Sequence, residues 1–170
     1  MRVLDRILHI VDSISEWSGK IVSFGIWPLM LMIVYDVMAR YIFRAPTHWA
    51  GEAATLIFGV CWVTAGAYAL LQGSHVKMEV FYARLSLRKR AILDVITAPL
   101  FFAFIGTVMW QGARFALISI GNLETSPSLW APPIYPIKVF IPLGAFLLLL
   151  QGVAKLIRDL KVASGKGGEV

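Results

Sequence analysis

The chain has 170 residues, 58% of them hydrophobic and only 15% charged, with a mean hydropathy of +0.73. A soluble domain of this length carries about 25% charge, so apolar residues on this scale, gathered in long runs, exclude an ordinary water-soluble core. The net charge of +6 comes from basic residues that flank the apolar runs. No groove of interleaved aromatics accompanies them, which excludes nucleic acid as a partner and marks them as topology signals.

Residues 1–19 set Val3, Leu4, Ile7, Leu8, Ile10, Val11, Ile14 and Trp17 on one helical face. Arg2, Asp5, Arg6, His9, Asp12, Ser13 and Glu16 fall on the other, so this stretch is expected to lie along a membrane surface. It has neither the uninterrupted apolar region nor the small-residue cleavage site of a secretory signal, so it is expected to be retained. Four spans follow, at 21–43, 49–71, 91–120 and 137–157, each near or above the roughly 20 residues that a crossing helix needs. The third is long and contains Pro99, so it is expected to tilt, kink or project. Between spans two and three, residues 74–90 mix Val76, Met78, Val80, Phe81, Leu85 and Leu87 with five basic residues, which suggests a second interfacial arm. The fold class expected is an all-α membrane protein. It has four transmembrane helices and amphipathic segments at the N-terminus and between helices 2 and 3, as one domain over 1–161 with a flexible tail at 162–170.

Orientation follows from the distribution of cations. Arg2, Arg6, Lys20, Lys77, Arg84, Arg88, Lys89, Arg90, Lys155, Arg158, Lys161 and Lys166 fall on one side, and only Arg40, Arg44, Arg114 and Lys138 on the other. The positive-inside rule then puts both termini in the cytoplasm and the turns near Pro46 and Pro127 outside. The outer loop from Gly121 to Pro136 holds Pro127, Pro132, Pro133 and Pro136 and is expected to be extended and stiff. The single cysteine, Cys61, lies inside an apolar span and reads as a small buried hydrophobe.

Charges inside a membrane boundary call for an explanation. Arg40 stands six residues before Pro46 and Glu52 six after it, so on antiparallel neighbours they share a depth; Asp36 is one turn deeper than Arg40. A structural ion pair pinning the hairpin is expected here, with an ion or substrate site as the sharper alternative. Glu52, Gly59, Gly66 and Gly73 recur every seven residues, and Thr55, Trp62 and Ala69 join the same face. Such a stripe lets another helix approach closely, whether from this chain or from a partner subunit. His48–Glu52 and His75–Glu79 have a spacing that could hold a metal, but they sit at opposite ends of span two. No metal, haem or other cofactor is expected, and no hydrolytic triad, phosphate loop or nucleophile can be assembled.

Arg40-Tyr41-Ile42-Phe43, Pro46, Trp49 and Glu52, then Trp62, Gly66-Ala67, Gly73 and His75-Val76 resemble the small membrane subunit of tripartite ATP-independent periplasmic (TRAP) transporters, the DctQ-like family. Pro132, Tyr135, Pro142 and Gly144 extend the likeness, which covers roughly residues 20 to 155. The resemblance implies a non-catalytic protein of the bacterial inner membrane. It would scaffold a large transport subunit and help receive a periplasmic solute-binding protein during cation-coupled uptake of an organic acid. Arg44, Lys138 and Arg114 could attract an acidic docking surface on the outer face. The rival readings are a self-contained proton-coupled exporter using Glu52, and a membrane anchor for a redox complex.

Overall fold

The computed structural model describes residues 2–73 and 87–164. Of the described residues, 83% are helical. The elements are α1 (Arg2–Tyr41), α2 (Ala50–Leu71), α3 (Leu87–Gly121), the single turn α4 (Tyr135–Lys138) and α5 (Phe140–Ala163). Four stretches within them, Arg6–Tyr41, Ala50–Leu71, Arg88–Gly121 and Tyr135–Ala163, are long and apolar enough to cross a membrane. These match the expected spans to within a few residues at most ends. The interfacial arm assigned to 74–90 lies outside the described residues up to Arg84, Leu85 and Ser86, and α3 begins at Leu87.

The sequence separates a surface segment from a first span, but α1 joins them in one helix of 40 residues, about 60 Å long. No glycine pair or proline falls near residue 20 to stop it; Pro28 is inside the helix. At the far end, α5 runs to Ala163, so the start of the expected tail is helical. α3 likewise continues through Pro99 for 35 residues, about 52 Å, which exceeds the roughly 30 Å of hydrocarbon.

The helices pack as a row, α1 on α2, α2 on α5 and α5 on α3, with a smaller contact of α1 on α5. Glycines set each close approach. Gly19 of α1 lies under the Tyr68 ring of α2. A Cβ at Gly144 of α5 would stand 2.7 Å from the Val63 carbonyl oxygen of α2. Gly112 of α3 faces Ile141 and Pro142, and Gly152 of α5 faces the Phe101 ring. Lipid is as apolar as leucine, so membrane helices associate through such close packing and polar contacts rather than by hiding oil from water. That is why outward side chains such as Phe24, Trp27, Leu31, Leu100 and Phe104 remain exposed.

Candidate functional site

At the turn between α1 and α2, Arg40 pairs with Asp36 at 3.0 Å, one helical turn away, and the Thr47 hydroxyl donates to the same carboxylate. Glu52 instead accepts a hydrogen bond of 2.5 Å from Ser128. The structure thus differs from the expected Arg40–Glu52 link. Arg40 finds its i, i+4 partner without crossing the turn, and the loop after α3 reaches over to claim Glu52.

That loop is a short hairpin. Ile134 N–H donates to Glu124 O at 3.0 Å and Ser126 N–H to Pro132 O at 2.9 Å, with an antiparallel bridge between Thr125 and Pro133. Its tip turns at Ala131, where φ is 45°. Starting from the end of α3, it crosses to the head of α2, where Trp130 packs on Trp49 (6.3 Å between centroids) and Trp49 on Tyr35 of α1 (6.1 Å). Trp49 and Pro132, two positions that carry the family likeness, are therefore parts of this strap. Tyr135 opens α4, and Pro142 abuts Gly112. His75 and its partner Glu79 lie outside the described residues.

Of the three cations expected to face an outer partner, Lys138 is already engaged. Its ammonium sits 2.6 Å from Glu124 and 4.0 Å above the Phe115 ring, with 14% of the side chain exposed. Arg44, with φ of 52°, turns the chain out of α1 and is exposed, as is Arg114. The bond from Lys138, followed by Ser119, holds the Glu124 carboxyl below the ordinary carboxylate range. A lowered folded-state value means stability that is present at neutral pH and lost as pH falls through it. The thermal midpoint of the wild type should exceed that of Glu124→Gln at neutral pH, and the two should converge in acid. Parallel curves would refute the pair's contribution.

The α2 stripe divides. An added Cβ at Gly59 meets nothing within 4 Å, and Trp62 is 71% exposed with Phe58 beside it. Gly66 only brushes Leu148, 3.8 Å from where its Cβ would be. Gly73 has φ of 70° just past the end of α2, so it is the left-handed residue that ends the helix rather than a packing position. The glycines that pack this chain's own helices, Gly19, Gly112, Gly144 and Gly152, form no seven-residue repeat on one helix; sequence reasoning missed all but Gly144, which it named for the family likeness and not for packing.

Sequence reasoning also missed a polar clasp at the opposite ends of the helices. Ser15 of α1, 1% exposed, donates to Gln151 Oε1 of α5 at 2.9 Å. Gln151, also 1% exposed, donates through Nε2 to Asp12 at 3.0 Å. Arg158 reaches both oxygens of Asp12, at 2.7 and 2.5 Å. One turn from these, Lys155 bridges Asp94 of α3 (2.5 Å) and Asp159 (2.6 Å). The signal available in the sequence was Gln151, Lys155, Arg158 and Asp159 at i, i+4, i+7 and i+8, a polar stripe on the last span. Among the described residues no three His, Cys, Asp or Glu side chains converge as a metal would require.

Four apolar helices held in a row by close glycine contacts and internal polar pairs define a multi-pass membrane protein. Residues 29–162 match the family described as "Tripartite ATP-independent periplasmic transporters, DctQ component". The chain belongs to that family of transporter permease subunits. It is similar to the isethionate TRAP transporter permease protein DctMQ of Oleidesulfovibrio alaskensis, 27% identical over 145 residues that cover 79% of this chain and 22% of that protein. It is also similar to the ectoine TRAP transporter small permease protein TeaB of Halomonas elongata, 23% identical over 158 residues, 92% of this chain and 81% of that one.

Proposed function

We propose that this chain is a non-catalytic brace in the bacterial inner membrane, with both termini in the cytoplasm, that holds a large transport subunit. It also helps a periplasmic solute-binding protein dock during cation-coupled uptake of a small organic acid. The observation that carries the reading is the outward stripe of α2. Gly51 and Gly59 leave open space and Phe58 and Trp62 stand exposed, although α2 is packed by α1 and α5 on its other sides. A small-and-aromatic stripe of this kind suits a close-packed helix of another subunit. The DctMQ relative supports this, since the part similar to this chain is about a fifth of a much longer polypeptide. Relatives named for isethionate and ectoine support a small, polar organic solute. Arg44 and Arg114 remain as the outer cations for docking, because Lys138 is neutralised by Glu124.

The test is copurification after mild detergent extraction. The wild type should bring down an integral membrane protein several times its own length. Gly59→Leu with Trp62→Ala should lose that partner while the isolated chain keeps its thermal midpoint. Solute flux through the purified chain alone in liposomes would overturn the reading in favour of a self-contained carrier.

A further inference from the structure

The inner ends of three helices stand beyond the end of α2. Gly19 meets Tyr68, three residues before α2 ends at Leu71, so the first turns of α1 project past it. α5 and α3 project with them, because Arg88 Nε donates to the Ala163 carbonyl at 3.2 Å, tying the start of α3 to the end of α5. Arg6 precedes Asp12 by six residues and Ala163 follows Arg158 by five. The Asp12–Arg158 pair therefore puts Arg6 and Ala163 within about one helical turn of the same level. Arg6, Arg88 and Lys89 thus lie in one layer, all exposed.

Among the described side chains, the nearby carboxylates Asp12, Asp94 and Asp159 are spent on other cations. Asp12 is held by Arg158, and Asp94 and Asp159 by Lys155, all of them deeper along the helices. No ion pair among the described residues neutralises Arg6, Arg88 or Lys89. Towards the membrane from this layer the exposed side chains turn apolar, with Ile7, Ile10, Ile92 and Leu160. α1 and α3 begin at this end and α5 ends there, so the positive ends of two helix dipoles outnumber the negative end of one. A layer of exposed cations above an apolar collar matches a lipid leaflet, with phosphates over acyl chains.

We propose that Arg6, Arg88 and Lys89 form a binding surface for the phosphate groups of anionic phospholipids in the leaflet that meets this end of the helices. The surface does more than orient the chain during insertion: it retains these lipids in the folded protein and stabilises the projecting helix ends.

The experiment compares the purified full chain in phosphatidylcholine nanodiscs with and without phosphatidylglycerol. Thermal midpoint and native mass spectrometry are the two readouts. Phosphatidylglycerol should raise the wild-type midpoint and be retained on extraction. Arg6→Gln/Arg88→Gln/Lys89→Gln should lose most of both effects, and Arg6→Lys/Arg88→Lys should keep them. The outer-side variant Arg44→Gln/Arg114→Gln should also keep them. The inference is overturned if the triple variant responds like the wild type or if the outer variant loses as much. It also fails if soluble glycerol phosphate alone reproduces the shift, since the ligand would then be free phosphate. None of these outcomes depends on a transport partner, so they stand apart from the copurification result.

Discussion

Gly144→Ala should destabilise the isolated chain by about 1–3 kcal/mol, the usual cost of forcing an extra carbon into a filled contact. The added methyl would stand 2.7 Å from the Val63 carbonyl oxygen and 3.0 Å from its carbonyl carbon. Both are backbone atoms of a continuous helix, so no side chain can rotate to make room, and α2 and α5 must separate. Among the described residues, α5 is the helix that joins α3 to the rest of the row, so that separation loosens half the molecule. Gly59→Ala is the matched control. It sits on α2, where the new carbon meets nothing within 4 Å, and alanine is the better helix former by about 0.8–1 kcal/mol. Reversible unfolding in mixed micelles, followed by circular dichroism, should show a large loss for Gly144→Ala and none for Gly59→Ala. Equal effects would refute glycine-mediated packing of α2 on α5.

The second large effect is expected at Gln151. Its side chain joins the buried Ser15 hydroxyl to Asp12, so Gln151→Leu removes the acceptor of one and a donor to the other. Asp12 keeps Arg158, but the Ser15 hydroxyl is left without its partner in a space closed to water. An unsatisfied buried polar group costs about 1–3 kcal/mol. Removing the second partner as well should recover part of that loss, because an apolar pair has nothing left to satisfy. Ser15→Ala/Gln151→Leu is therefore expected to be more stable than the sum of the two single losses, in the same unfolding assay. Strict additivity would mean that the two side chains do not act as a unit.

Much of the fold was legible in the residues. The apolar runs defined four spans, and the order of Arg40, Trp49, Glu52, Trp62 and Gly66 pointed to the family. The polar residues at the turn between α1 and α2 were also singled out, but the structure pairs them differently. Arg40 and Glu52 share a depth by counting residues, yet counting cannot show that the hairpin after α3 brings Ser128 onto Glu52. The same limit applied to Lys138, whose charge was read as available although Glu124 and Phe115 occupy it. The seven-residue glycine repeat on α2 attracted attention because it is periodic. The contacts that hold the row use single glycines on different helices, which no one-dimensional pattern connects.

Composition and periodicity determined by themselves that this chain crosses a membrane four times, because a hydrocarbon layer demands long apolar helices whatever their neighbours are. Only the tertiary structure decided that the helices stand as a row, that a strap of residues 122–134 crosses one end, and that Asp12, Ser15, Gln151 and Arg158 clasp the other. Helix order, crossing points and polar partners depend on contacts between residues far apart in the chain, 76 positions for Glu52 and Ser128 and 146 for Asp12 and Arg158. Such contacts leave no periodic trace in a single sequence.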